Sequence, residues 1–192
     1  KFRLVIVTPA PTSEQQKHID DIVAAYHTTD EGRNITVFLH GGVGTGKSMT
    51  TLLLANTMEA QHSKDLKPSA PGMSLKTIYA SATPSPSNPL VLVLEEVDIL
   101  LDRIHKVELP AHKLLQAPVA DKTSWNNMLD DIDNGLFPYM ITILTSNQDP
   151  SYINKLDPAY IRPGRVHLYV EMKRPQLESD EDDISIDIIS SQ

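Results

Sequence analysis

Apolar and polar residues follow two periods along this chain, one typical of buried strands and one typical of helices. Short apolar runs of strand length occupy four segments: 35–39, 90–94, 139–145 and 166–170. Apolar residues recur at helical spacing in three others: 13–27, 48–62 and 123–135. A weaker alternation of Leu75, Thr77 and Tyr79 predicts a further strand over 74–81. Since helices or long connections separate these runs, we expect an α/β fold with a five-stranded parallel sheet and helices on both faces.

Composition divides the chain into three predicted parts: an amino-terminal arm and helix over 1–34, a core over 35–172, and an acidic tail over 173–192. Ser13 and Gln16 have the spacing of a reciprocal capping pair at the start of the first helix. Two segments rich in Pro and polar residues, 63–73 and 102–122, are predicted to be irregular connections. The composition of the tail favours disorder over the alternative of a strand added to the edge of a partner.

The formal net charge of the chain is −8, but most of it lies in the tail. Residues 1–177 carry 17 bases against 19 acids, a net charge of −2. This part of the chain therefore lacks the excess of basic residues that is typical of proteins that bind nucleic acid. The chain contains no Cys, which excludes disulfides and thiolate chemistry and fits an intracellular setting. No apolar run reaches the roughly 18 residues of a membrane-spanning helix. We therefore expect no membrane segment in this chain.

Residues 41–48, Gly-Gly-Val-Gly-Thr-Gly-Lys-Ser, fit the phosphate-binding pattern G-x-x-x-x-G-K-[ST] without a mismatch. They follow an apolar strand and precede a helical pattern, and the glycines let successive N–H groups point into one concavity. Lys47 is predicted to meet the β- and γ-phosphates of a nucleoside triphosphate, and the Ser48 hydroxyl to bind Mg²⁺. The predicted nucleotide-binding residues are Gly41, Gly42, Val43, Gly44, Thr45, Gly46, Lys47, Ser48 and Met49.

Acidic residues follow the buried run 90–94, with Glu95 and Glu96 first and Asp98 after them. In a phosphate-loop enzyme, an acid at this strand end supports the metal, and a second can deprotonate the attacking water. We assign Glu95 to Mg²⁺, mostly through its water shell, and Glu96 to the role of base. The two roles could be exchanged within the pair. A solvated acidic turn that caps the strand is the alternative without chemistry.

Four segments resemble, in the same order, the core of an AAA+ ATPase: 41–48, 90–98, the strand ending Thr145-Ser-Asn147, and Leu156 to Arg165. The last of them, Leu-Asp-Pro-Ala-Tyr-Ile-Arg-Pro-Gly-Arg, is similar to the second region of homology of that family. The resemblance covers 35–170 and implies the large subdomain of a P-loop NTPase, with ATP as its nucleotide. It also implies that Asn147 contacts the γ-phosphate or the attacking water, and that Arg162 and Arg165 are arginine fingers.

Arginine fingers reach across a subunit interface, so the resemblance implies a homo-oligomer, either a ring or a spiral. A planar guanidinium suits the charge on a transferring phosphoryl group on chemical grounds as well. The alternative is that one arginine pairs within the chain with Asp157 or Glu171. Among subfamilies, the Lys47-Ser48 pair and the acid pair that begins with Glu95 are most similar to the mitochondrial AAA chaperones that assemble respiratory complex III.

The chain departs from the family in three places. The Pro-Pro that is usual in the family's phosphate loop is Gly42-Val43 here, a looser turn that leaves the N–H groups available. A helical lid does not follow the last predicted strand. Between the second and third predicted strands only 82–89 remains, which is too short and proline-rich for the pore-loop helix of members that thread polypeptide. Tyr79, the nearest aromatic residue, is predicted to pack in the core.

The leading hypothesis is an ATP-hydrolysing module that assembles into an oligomer and remodels or translocates a macromolecule, with protein as the substrate class. A nucleotide-dependent assembly or scaffold protein with little turnover is the alternative, favoured by the missing lid and pore-loop helix. A DNA-handling ATPase is a third hypothesis, which the lack of a basic stripe disfavours.

Overall fold

The computed structural model of the protein describes residues 8–29, 34–72, 74–109 and 117–174. Its helices are α1 (Ser13–Thr28), α2 (Lys47–Thr57), α3 (Leu75–Ala82), α4 (Val97–His105), α5 (Lys122–Asp133) and α6 (Pro150–Leu156). Its strands are β1 (Ile35–His40), β2 (Gln61–Ser63), β3 (Leu90–Leu94), β4 (Met140–Ser146) and β5 (Leu168–Glu171). A short 3₁₀ turn, Pro158–Tyr160, follows α6. The predicted arm at 1–7 and the tail from 175 onward lie outside the described residues.

The strands form one parallel sheet in the order β2-β3-β4-β1-β5. β4 lies at the centre, and every residue of β4 and of its neighbour β3 is buried. Apolar runs without polar alternation are typical of parallel strands that helices cover on both faces. The expected α/β fold with a five-stranded parallel sheet is confirmed.

Helices cover both faces of the sheet and divide the core into two layers. On one face, α1 and α2 bury apolar side chains such as Ile19, Ile22 and Leu54. On the other face, α3 to α6 and the 3₁₀ turn bury a larger cluster that includes Trp125 and Tyr160. The indole N–H of Trp125 donates to the carbonyl of Tyr160 at 3.1 Å. This bond fastens α5 to the segment that leads into β5.

The second strand along the chain is β2. The prediction of a strand over 74–81 is wrong. Those residues form α3, whose N-cap Ser74 accepts a hydrogen bond from the N–H of Thr77 at 3.2 Å. Leu75 and Ile78, three residues apart, are both buried, which is the spacing of one helix face. β2 has only three residues, too few to show a period in the sequence. A helix therefore does lie between the second and third strands, contrary to expectation.

Several helix boundaries also differ from prediction. α1 is capped one residue earlier, by Thr12 with Gln15 as its reciprocal partner. α2 ends at Thr57 rather than near residue 62, because the chain turns there to enter β2. α4 extends to His105, so the first residues of the segment predicted to be irregular are helical.

α1 and β5 lie at the two ends of the described core. α1 packs on the same sheet face as α2, and the predicted domain boundary after residue 34 stays a prediction. After β5 the described residues reach Arg174 and contain no helical lid.

Within the described ranges, no helix is both long and apolar enough to cross a membrane.

Gly41 lies where the chain leaves β1, and it joins three parts of the sheet. Its N–H donates to the carbonyl of Ser146 at the end of β4 at 3.2 Å. Its φ is +151°, and a Cβ at this position would lie 2.2 Å from the carbonyl oxygen of Met172. Met172 cannot retreat easily, because its own N–H donates to the carbonyl of His40 at 2.7 Å. Only glycine fits this close approach of two backbones.

Gly41→Ala should lower the free energy of unfolding by roughly 1–3 kcal/mol, through overpacking against Met172 and an unfavourable φ. Gly42→Ala is the matched control, because an added Cβ there meets no heavy atom within 4 Å. Urea denaturation of both variants without nucleotide measures the difference. Equal stability of the two variants would contradict the steric argument.

Candidate functional site

The loop of residues 41–46 connects β1 to α2 at the carboxyl end of the sheet. Gly46 is the N-cap of α2, is left-handed with φ of 89°, and offers no side chain to cap the helix. Among the described residues, no side chain caps the first N–H groups of α2, which suits a helix N-terminus that binds an anion. The hydroxyl of Thr45 donates to the carbonyl of Gly42 at 2.9 Å and closes the loop on itself. The loop thus has the shape and the helix dipole of a phosphate site.

The ammonium group of Lys47 lies over this loop and donates three hydrogen bonds. Its acceptors are the carbonyls of Gly41 at 2.6 Å and Gly42 at 3.0 Å, and Oδ1 of Asn147 at 2.9 Å. Burial lowers the pKa of Lys47, and the nearby carboxylates just after β3 and in the first turn of α4 oppose that change. The bond to Asn147 joins the loop after β1 to the residue after β4. Two residues predicted to act together are therefore in direct contact.

Glu95 and Glu96 follow β3 at the same end of the sheet, and both are exposed. Glu96 is the N-cap of α4 and is left-handed, with φ of 54°. Its N–H donates to the hydroxyl of Thr145 on β4 at 3.2 Å, which holds the turn in place. Such a conformation costs on the order of 1–3 kcal/mol and persists only where the surroundings enforce it. Because the chain leaves the strand at this turn, both carboxylates line one cavity.

A cavity of about 780 Å³ opens beside the loop. Ligand pockets commonly measure roughly 300–1,000 Å³, so this volume suits a nucleotide. The lining contains these predicted site residues: Val43, Gly44, Thr45, Gly46, Lys47, Ser48, Met49, Glu95, Glu96 and Asn147. Gly41 and Gly42 lie at the base of the loop, outside the lining. The fold thus brings most of the predicted site together.

Oxygen ligands for a divalent cation are present at this cavity. Ser48, in the first turn of α2, and Glu95 both line it. No group of three or more His, Asp or Glu residues in the described parts of the chain could hold a metal ion by itself. Mg²⁺ prefers oxygen ligands and is commonly held by one or two carboxylates together with substrate phosphates. The donors present therefore fit a cation that binds together with a nucleotide.

The turn that carries Arg162 and Arg165 lies towards the opposite end of the sheet. The N–H of His167, just after this turn, donates to the carbonyl of Thr36 near the start of β1 at 2.9 Å. The chain from Thr36 to Gly41 spans about 16 Å at roughly 3.3 Å per residue. The structure therefore does not bring either arginine to the phosphate loop of its own chain.

The two arginines differ in burial and in their partners. Arg165 is only 6% exposed, and it donates to both carboxylate oxygens of Asp130 at 2.7 and 2.8 Å. The side chain of Arg162 is 52% exposed and lies 3.5 Å from the same carboxylate. The predicted alternative of a pairing within the chain thus describes Arg165, although its partner is Asp130 rather than Asp157 or Glu171. The exposed side chain of Arg162 can extend beyond its own chain, whereas Asp130 holds the other predicted finger, Arg165, within the chain.

Sequence reasoning missed three charged groups at the site. Asp98, in the first turn of α4, is buried, and its Oδ1 has no hydrogen-bond partner in the described structure. Arg103 lies one turn after Ile99 on α4, and both it and Lys67 line the cavity. The position of Asp98 within the acidic motif was a usable signal. Arg103 falls in a segment predicted to be irregular, and no pattern marks Lys67.

Comparison with known proteins agrees with this geometry. The sequence profile of the ATPase family associated with various cellular activities (AAA) matches residues 37–174, which is most of the chain. No curated protein matches the chain. The matched range begins in β1 and contains the phosphate loop, the acid pair, Asn147 and both arginines. The chain therefore belongs to the AAA family of ATPases.

Proposed function

We propose that this chain is an ATPase module that binds ATP with Mg²⁺, hydrolyses it within an oligomer and remodels a protein substrate. The observation that supports hydrolysis is the convergence of Lys47, Asn147, Glu95 and Glu96 on one cavity. Phosphoryl transfer to water needs a cation at the phosphates, a group that orients the water and a carboxylate. A scaffold that only binds a nucleotide needs the loop but has no use for the other groups.

Lys47 and the loop bind the phosphates. The three acceptors that Lys47 now has are neutral oxygens, so an anionic phosphate competes well for its protons. When Lys47 turns to a phosphate, Oδ1 of Asn147 becomes free to accept a hydrogen bond from the attacking water. Asn147 thereby couples phosphate binding to the orientation of water.

Ser48 and Glu95 hold Mg²⁺, and Glu96 takes the proton of the attacking water. The metal, when bound, neutralises charge on the β- and γ-phosphates. The backbone of Glu96 is held by Thr145, so its carboxylate is presented from a fixed turn. Glu96 and Asn147 line the same cavity and can share one water molecule between them.

Arg162 supplies positive charge to the site of a neighbouring copy. Its guanidinium is half exposed and lies towards the end of the sheet opposite its own phosphate loop. A contact in which this end of one copy meets the carboxyl end of the next is head-to-tail, and such contacts generate rings or spirals. The exposed position of Arg162 at this end of the fold supports the proposal of an oligomer.

The assignment of protein as the substrate, and the likeness to complex III assembly chaperones, rest on the sequence resemblance. The presence of α3 between β2 and β3 removes one argument for a scaffold without turnover. Residues 64–74, between β2 and α3, contain no Phe, Tyr or Trp. Tyr79 packs edge-on against Phe137, and its hydroxyl donates to the carbonyl of Pro138 at 2.9 Å. Substrate contact through an aromatic pore loop therefore receives no support from this segment.

ATP turnover per protomer should rise steeply with protein concentration, because each site is completed by Arg162 of another chain. Phosphate release, measured over a wide range of concentration with light scattering to follow association, tests this dependence. Low turnover that stays flat with concentration, despite tight ATP binding, would contradict the proposal and favour a scaffold.

Glu96→Gln should lower kcat by roughly 100-fold or more while leaving ATP affinity unchanged, because only the base is lost. Glu108→Gln is the matched control, since Glu108 is an exposed acid beyond α4 and outside the cavity. Turnover assays with fluorescent-nucleotide binding separate the two effects. Normal turnover in Glu96→Gln would contradict the assignment of Glu96 as the base.

Arg162→Ala should lower kcat by roughly 1,000-fold or more and spare ATP binding, because the missing cation acts on the transition state in a neighbouring site. Lys155→Ala, which removes an exposed cation from α6, is the control and should keep normal turnover. Steady-state kinetics and nucleotide titration provide the measurement. A loss of ATP affinity equal to the loss of turnover would argue against a finger role.

A further inference from the structure

Two acidic residues on α5 hold the turn that carries Arg162. Asp130 and Asp133 are three residues apart and therefore lie on the same face of the helix. Asp130 contacts both Arg162 and Arg165, and Oδ1 of Asp133 lies 3.1 Å from Nε2 of His167. One helix face thus contacts three basic side chains in the segment that leads into β5.

His167 fastens this segment to the sheet independently of Asp130. The N–H of Thr36 donates to Nδ1 of His167 at 3.0 Å, so Nδ1 carries a lone pair. The ring proton then lies on Nε2, the nitrogen that lies 3.1 Å from Oδ1 of Asp133. The N–H of His167 also donates to the carbonyl of Thr36 at 2.9 Å. The entry into β5 therefore does not depend on Asp130 for its position.

Arg165 fixes the carboxylate of Asp130. Its Nε donates to Oδ1 at 2.7 Å and its Nη2 to Oδ2 at 2.8 Å, a fork that sets both place and orientation. Nη1 of Arg165 donates to Oδ1 of Asn126 at 2.7 Å and to the carbonyl of Ala159. The hydrogen bonds from Arg165 hold the pKa of Asp130 below its usual value. Asp130 is therefore a charged group with little freedom to move.

The same carboxylate faces Arg162 at longer range. Nη2 of Arg162 lies 3.5 Å from Oδ1 of Asp130, the oxygen that also accepts from Nε of Arg165. The side chains of Arg162 and Asp130 are 52% and 36% exposed, so this ion pair lies at the surface. A surface pair contributes little to stability. Its effect is on where the guanidinium of Arg162 lies.

We infer that Asp130 is a positioning residue, which Arg165 fixes in place and which holds Arg162 ready for the nucleotide site of a neighbouring copy. The inference rests on the proposed role of Arg162 in trans. A long arginine side chain loses rotamer freedom when it enters an interface, and a rigid partner beforehand reduces that loss. Arg165 thus acts on Arg162 through Asp130. This is the role that we infer for the buried arginine, Arg165.

Asp130→Asn separates positioning from folding. Asn keeps the shape and one acceptor oxygen but removes the charge that attracts Arg162. Arg165 retains its two other acceptors, and the contact of His167 with α5 is untouched. Asp131→Asn is the matched control, because the Asp131 side chain makes no hydrogen bond or ion pair with the described residues and neighbours Asp130 on the same helix.

Asp130→Asn should lower kcat by about 10- to 100-fold, the loss typical of a misplaced catalytic group. The Kd for ATP should stay unchanged, because the nucleotide site of the same chain is intact. Asp131→Asn should match the unmodified protein in both measurements. Phosphate release and nucleotide titration on the assembled protein provide these values.

Mixing with Glu96→Gln protomers tests whether the loss acts in trans. Those protomers bind ATP, cannot hydrolyse it, and carry an intact Arg162. Asp130→Asn protomers keep a complete nucleotide site, so a Glu96→Gln neighbour should restore turnover several-fold above either variant alone. Arg162→Ala mixed with Glu96→Gln is the reference for recovery. A mixture of Asp130→Asn with Arg162→Ala should show no recovery of turnover.

Recovery in the Arg162→Ala mixture without recovery in the Asp130→Asn mixture would overturn the inference and leave the proposed function intact. No recovery in the Arg162→Ala mixture would overturn the role of Arg162 in trans and the inference with it. Unchanged kcat in Asp130→Asn would also overturn the inference. If Asp130→Asn does not fold, Asp130→Glu replaces it. This variant keeps the charge but moves the carboxylate by one methylene. We expect a smaller loss of kcat, with the same recovery of turnover in the mixture with Glu96→Gln.

Discussion

Parallel pairing of β1 and β3 with the central strand β4 is the constraint on which the site depends. β1 and β4 end in register, with His40 opposite Ser146, and β3 ends beside them. Neighbouring strands lie about 4.8 Å apart, so the segments that follow them begin close together. The 2.9 Å bond between Lys47 and Asn147, residues 100 positions apart in the sequence, is a direct consequence. Lys47, Asn147 and the acid pair at 95–96 lie around one cavity because the three strands that precede them end at the same edge of the sheet.

The same sheet keeps Arg162 away from the phosphate loop of its own chain. β5 runs parallel to β1, so the chain must enter it from the amino end. α5 also reaches that end, where the side-chain amide of Asn34 donates to the carbonyl of Ile132 at 2.9 Å and its oxygen accepts from the N–H of Met140. Asp130 can therefore meet the arginine turn there. One topology thus gathers the phosphate-binding groups at one end and the arginine-bearing turn at the other.

Sequence patterns predict the buried strands well because parallel strands covered on both faces are apolar throughout, as β3 and β4 are. They fail over 74–81, where Leu75, Thr77 and Tyr79 alternate like a strand while Leu75 and Ile78 share a helix face. The short run could serve either structure, and packing against the sheet decided it. β2 is predicted poorly for another reason: it has three residues, and pairing with β3 rather than its own pattern makes it a strand.

The sequence by itself determined the phosphate loop, the acid pair at 95–96 and the α/β class, because these depend on spacing between near neighbours. Only the tertiary structure decided how the two arginines differ. In the sequence they are equal members of one motif, three residues apart. Asp130, 35 positions from Arg165, binds that arginine and leaves Arg162 half exposed. Burial and ion pairing depend on which distant residue the fold brings near, and no local pattern records that.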